Sequence, residues 1–388
     1  MAEKTPQNNA TAVNDEDDEL MILDWSEIAD TETTTPALLS KLEHALGATG
    51  IGLVAIRNVP DFVETKAAFL PQAHALAHLP AAYLEEHLTD AASLYNAGWS
   101  HGKEKLGDKP DLAKGSFYYN PIIDVPGTPA DRHKYPYSYP VNKWPNNLPG
   151  FREAAMRMGR ILKDATVVLA KHIDALAASK CADYPTQFLY QRMKDTDKVK
   201  ARLLYYFPLE ENNADETAAA APPAEDSWIG WHNDSGFLTA LGGDLYVNHE
   251  TGEPVDCPDA AAGLYVADRR NNGQARLVAL PADCCAVQIG ECSAIVTGGA
   301  VQATPHCVRG AAATNVARIS LPCFVDAPPY QVLSMPPSAT REQVLGAAAS
   351  DKVPPLGPRW TGNDMTFGEF LQTTFQQYYE WKPQSSSD

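Results

Sequence analysis

Between Trp228 and Asp326 the chain sustains no helical period. Short apolar runs are cut by Gly, Pro or Asn: Trp228–Leu241, Gly263–Val266, Ala275–Leu280, Cys284–Ile289, Ser293–Thr297, His306–Val308 and Val316–Val325. Runs of this kind, recurring at about 8–12 residues, close into a barrel or jelly roll rather than alternate with crossover helices. A mainly β core with flanking helices is therefore expected. The first run, Trp-Ile-Gly-Trp-His-Asn-Asp-Ser-Gly-Phe-Leu-Thr-Ala-Leu, places His232 and Asp234 two residues apart. In an extended strand such residues project from one face, so imidazole and carboxylate converge.

Two ligands on one face begin a metal site, and His306, in Gln302-Ala-Thr-Pro-His-Cys-Val308, offers a third from another strand. Two histidines and one carboxylate on one side of a metal form the facial triad of non-haem Fe(II) oxygenases. A second His-x-Asp, His172-Ile-Asp174, lies in a helical pattern, where the two side chains diverge and cannot share an ion. Downstream, Arg318 and Ser320 stand at i and i+2 in Val316-Ala-Arg-Ile-Ser-Leu-Pro322. A guanidinium beside a hydroxyl is a receptor for a carboxylate. An Arg in an apolar strand demands an anion, either a protein carboxylate or a ligand. A hairpin over 310–315 is expected to bring this strand back antiparallel to His306.

His232-x-Asp234, His306 and Arg318-x-Ser320, in this order, resemble the isopenicillin N synthase-like group of 2-oxoglutarate- and Fe(II)-dependent oxygenases. The resemblance extends to the opening strand Ile22–Asp24, the segment Gly50–Pro60, Tyr205-Tyr-Phe-Pro208, Leu238–Leu241, Gly263-Leu264 and Thr297-Gly-Gly299. It implies a double-stranded β-helix (jelly roll) core, with an N-terminal helical region and a C-terminal helix. It implies Fe(II) held by His232, Asp234 and His306. It implies 2-oxoglutarate held by Arg318 and Ser320 with help from Tyr206, and O₂ as oxidant. The implied reaction is hydroxylation or a related oxidation of a small organic molecule, releasing succinate and CO₂. Gly290-Glu291 in place of Gly-Asp, Cys307 after the third ligand, Leu204 in place of Asn and an insertion over about 242–262 mark a divergent branch. Two other readings stay open: an Fe(II) oxidase of the same fold that does not use 2-oxoglutarate, and a catalytically inactive binding protein.

Four regions are expected: an acidic disordered tail (1–20), an N-terminal helical and mixed region packing on the core (21–199), the oxygenase core (200–326), and a Pro-rich loop with a closing helix (327–388). Within them, helices are predicted over 36–46, 63–79 with a break at Pro71, 81–94, 150–179 and 366–381, and irregular structure over 95–149. His74 and His78, one turn apart, lack the Glu of a zinc-protease motif and read as packing or surface residues. The formal charge of −18 argues against nucleic-acid and anionic-membrane partners. No apolar run approaches the length of a membrane span, and the start lacks a secretory pattern. Seven cysteines without CxxC spacing fit reduced thiols in a cytoplasmic protein. A monomer is expected. The aromatic residues Trp99, Phe117, Tyr118, Tyr119, Trp228 and Phe237 hint at an apolar or aromatic substrate or at lid packing, while Arg202 and Lys114 offer a place for an acid.

Overall fold

The computed structural model describes residues 20–103, 105–106, 109–208 and 227–380. The acidic tail up to residue 19 and the Ala/Pro-rich loop 210–226 lie outside the described residues. In chain order, β1 (Ile22–Asp24) runs into α1 (Trp25–Ile28), and α2 (Pro36–Leu46) leads to β2 (Leu53–Arg57). Helix α2 has the predicted ends: Thr35 Oγ1 accepts from Leu38 N, Pro36 opens the first turn and Gly47 follows the last. Pro71 divides the next pattern into α3 (Phe62–Phe69) and α4 (Gln72–Ala77). The helix predicted over 81–94 shortens to α5 (Ala81–Tyr83), a π-turn at Leu84–Leu88 and a 3₁₀ turn at Ala91–Ser93. Thr89 ends it by going extended and donating its hydroxyl to Leu84 O at 3.2 Å.

The stretch 95–149 departs from its expected irregularity. It supplies β3 (Gly98–His101), the small hairpin β4 (Lys105–Leu106) and β5 (Lys109–Pro110), β6 (Lys114–Tyr119) and α6 (Pro129–Lys134). Glycines hid these strands, yet one of them is required: Gly115 leaves the space that the Trp99 ring fills. Then come α7 (Phe151–Lys180), α8 (Phe188–Asp195), β7 (Val199–Tyr206), β8 (Ile229–His232), β9 (Leu238–Asn248), β10 (Gly263–Asp268), β11 (Gln274–Val278) and β12 (Cys284–Ile289). The chain closes with α9 (Glu291–Val296), β13 (His306–Arg309), β14 (Val316–Val325), α10 (Arg341–Ala347), α11 (Leu356–Arg359) and α12 (Phe367–Glu380).

Eight strands form one sheet in the order β1-β2-β12-β9-β14-β7-β6-β3, and four form a second, β11-β10-β13-β8. The two face each other as a jelly-roll sandwich, not a closed barrel. Alternation along β14 sets its two faces. Ala317, Ile319, Leu321, Cys323 and Val325 join the main core beneath α7, whereas Arg318, Ser320, Pro322 and Phe324 line the space between the sheets. Helix α7 buries Leu162, Ala165, Leu169 and Ile173 against this sheet, each larger apolar side chain contributing about 1.5–3 kcal/mol.

Three expectations need correction. The strand predicted at Ser293–Thr297 is part of helix α9; a five-residue run carries no period that separates the two states. Residues 310–315 do not close a hairpin, because β13 pairs with β10 and β8 while β14 pairs with β7 and β9. The connection carries the chain from one sheet to the other, so His306 and Arg318 meet across the sandwich. Residues 242–248, expected to belong to an insertion, instead continue β9. Among the described residues, no helix is long and apolar enough to cross a membrane.

Candidate metal centre

His232 ends β8 and His306 starts β13, and the antiparallel register places the two opposite each other. Their rings lie 4.2 Å apart, and Asp234 Oδ1 is 3.9 Å from His306 Nε2. One donor atom from each of His232, Asp234 and His306 falls within 4.8 Å of the other two, so all three can reach a single ion. Asp234 and His306 are buried.

Hydrogen bonds select the tautomers that a metal needs. His232 Nδ1–H donates to Gly230 O at 2.8 Å, leaving Nε2 for the ion. His306 Nδ1–H donates to Thr304 O at 3.1 Å. The Gln288 amide abuts the same Nδ1 at 2.6 Å with its Oε1 unpartnered, and turning the amide over lets Oε1 accept from Nδ1–H. Burial, with His306 next, lowers the His232 pKa below its ordinary 6.5, so its imidazole is neutral and ready to ligate at pH 7. This donor set fits a divalent transition metal with open positions.

The triad opens on a cavity between the sheets, lined among others by Arg202, Tyr206, Gln288, Arg318 and Ser320. Along β7 and β14 the inward pairs run Tyr206 with Arg318, then Leu204 with Ser320. Arg318 is 4 % exposed; its Nε and Nη1 are buried with no partner among the described residues, and its Nη2 donates to both carboxylate oxygens of Asp244 at 2.8 Å. Burial opposes the charge, but the Asp244 carboxylate outweighs it and holds the guanidinium above its ordinary range. Tyr206 packs under Arg318 at 5.1 Å and stacks on Trp228 at 5.0 Å. Two orphaned buried donors beside two hydroxyls fit a ligand carboxylate. Both answers to the anion question therefore hold at once, a protein acid on one side of the guanidinium and room for a ligand on the other. The sequence reading missed Asp244. Its signal was present in Asp244-Leu-Tyr-Val247, where Asp244 and Tyr246 alternate with apolar residues as a strand requires.

Other candidates scatter. Arg202 lines the cavity, with Nε donating to Ser116 Oγ at 3.0 Å and its guanidinium over the Tyr118 ring at 5.0 Å. Lys114 instead pairs with Asp111 away from it. Trp99, Phe117, Tyr118, Tyr119, Trp228 and Phe237 are buried and absent from the cavity wall, as packing residues are. His172 and Asp174 diverge as expected, His172 bonding Ile28 O and Thr34 and Asp174 accepting from Tyr184. His74 donates Nε2–H to His249 O at 2.9 Å, and His78 donates to His74 O, as packing residues do. All seven cysteines are free and all but Cys257 are buried.

No family model and no curated protein matches the sequence. Solved structures do. A 2OG-Fe(II) oxygenase family protein from Caulobacter crescentus superposes with a TM-score of 0.61 at 18% identity, covering 92% of this chain and 98% of that one. A full-length Neurospora crassa protein in complex with alpha-KG gives 0.60 at 19% identity, covering 93% and 98%. JOX2 in complex with 2OG, Fe and JA gives 0.58 at 16% identity, covering 92% and 85%. The chain has the fold of the 2-oxoglutarate- and Fe(II)-dependent oxygenases.

Proposed function

We propose that this chain is an Fe(II)- and 2-oxoglutarate-dependent oxygenase that oxidises a small organic molecule. His232, Asp234 and His306 would hold the iron, and Arg318, Ser320 and Tyr206 the distal carboxylate of 2-oxoglutarate. One observation carries the reading: a three-donor cluster and a buried guanidinium with orphaned donors open on the same cavity. The bound iron with 2-oxoglutarate and O₂ supplies the oxidising chemistry, with succinate and CO₂ as co-products. The protein's part is placement: it orients the co-substrate from its far end, holds one C–H bond near the metal and excludes water. The wall is largely aliphatic (Ile229, Leu264, Val278, Leu280, Val308) with Arg202 as a cation. It suits a mainly apolar molecule carrying one acceptor group. Structures of the Neurospora crassa protein with thymine and of JOX2 with JA support a small-molecule substrate.

Succinate release from 2-oxoglutarate by the Fe(II)-loaded protein in air tests the assignment. Release by the wild type and its loss in His232→Ala are expected; equal release by both overturns it. One observation favours an Fe(II) oxidase that dispenses with 2-oxoglutarate: Arg318 already carries a carboxylate, that of Asp244. Iron binding without any interaction with 2-oxoglutarate would establish that alternative. An inactive binding protein is disfavoured, since all three metal donors converge.

A further inference from the structure

The turn that follows His232 is gripped by a buried ion pair that reaches it from the C-terminal segment. Arg359 on α11 is fully buried and donates Nη1 and Nη2 to Glu291 Oε2 and Oε1, each at 2.5 Å. The same guanidinium donates to Pro354 O at 2.9 Å, Pro355 O at 3.1 Å and Thr374 Oγ1 on α12 at 3.3 Å. Glu291 opens α9 and is 1 % exposed; its Oε1 also accepts from Asn233 Nδ2 at 3.0 Å, and its N–H donates to Asp234 O at 2.8 Å. Asn233, itself buried, stands between the metal-facing His232 and Asp234.

A buried ion pair is a weak stabiliser, because removing both charges from water offsets most of their attraction; well-packed apolar residues often serve the fold as well. Stability alone therefore does not account for this one. What distinguishes it is the second bond of Glu291 Oε1, which goes to the one side chain lying between two metal donors. We propose that Arg359 and Glu291 fix Asn233, and that Asn233 is a positioning residue through which the C-terminal segment sets the metal-ligand geometry. The proposal rests on the metal-centre reading above. It predicts that the metal affinity depends on residues that never touch the ion, as partners of metal ligands commonly do.

Co²⁺ alone is the probe, followed by its visible ligand-field absorption in the metal-free full chain. Asn233→Ala leaves the Arg359–Glu291 pair intact, so the fold should survive. Its Co²⁺ dissociation constant should rise by about 10- to 100-fold, with altered band positions. The double variant Glu291→Leu/Arg359→Met removes both charges together and should reproduce that loss. Adding Asn233→Ala to it should weaken binding no further, since all three act through one contact. Wild-type affinity and bands in Asn233→Ala overturn the proposal, as do additive losses in the triple variant. A wild type that binds no Co²⁺ overturns the metal-centre reading and this proposal together, whereas wild-type binding with an unaffected Asn233→Ala overturns the proposal alone.

Discussion

Arg318 Nη2 lies 2.8 Å from both carboxylate oxygens of Asp244, while Nε and Nη1 stay buried without a partner among the described residues. A receptor for an anion is thus already electrically balanced on one side. Asp244 is about one-third exposed, so water screens part of its pull. An incoming distal carboxylate shares the guanidinium with a like charge. Asp244→Asn should relieve about 1 kcal/mol of repulsion and tighten 2-oxoglutarate by about fivefold, read as the co-substrate dissociation constant. Weaker binding in Asp244→Asn would show instead that Asp244 holds the guanidinium in place for its ligand.

Gly236 sits in the same ligand-bearing turn, and a Cβ there would overlap the Asp326 carboxylate. Asp326 accepts from Phe237 N at 2.9 Å and pairs with Lys198 at 2.8 Å, both partners buried. Gly236→Ala should displace the turn that carries Asp234 and lower metal affinity by at least about tenfold, measured by Co²⁺ titration. Asp326→Ala strands a buried ammonium and should destabilise the fold by about 3–5 kcal/mol in urea unfolding.

His172 predicts the acid side of the stability profile. It is buried, donates Nε2–H to Ile28 O at 2.8 Å, and its Nδ1 lies 2.8 Å from Thr34 Oγ1. Burial lowers its pKa below the ordinary 6.5, so the unfolded chain takes up this proton before the folded one does. The contribution is whole above about pH 6.5 and is lost as pH falls below it. A melting temperature that falls less steeply between about pH 6.5 and 5 in His172→Gln than in the wild type is the expected result. Parallel profiles would remove His172 from the acid response.

What the sequence made legible follows from period and sign. His232-x-Asp234 lay in a β-prone run that foretold β8, although β8 ends at His232 and Asp234 stands in the turn beyond it, and His172-x-Asp174 could be dismissed by its helical spacing. Arg318 and Ser320 were legible because a cation in an apolar strand requires an anion. The extent of α2 was legible from its helical apolar period over 36–46. Strands β3 and β6 were not, since Gly and aromatic clusters read as loop until Trp99 is seen packed over Gly115. Helix α9 was misread because the five residues Ser293–Thr297 are too few to show a period. Arg359 could not be linked to Glu291, since 68 residues separate partners that only the tertiary fold brings together.

The central claim is that one cavity holds both iron and 2-oxoglutarate. The most direct measurement is an anaerobic titration of the metal-free protein with Fe(II) and then 2-oxoglutarate, following the weak visible charge-transfer band of the chelate. A saturable band in the wild type, weakened by Arg318→Ala, is the predicted result. Iron binding with no band at any 2-oxoglutarate concentration, or a band indifferent to Arg318→Ala, would contradict it.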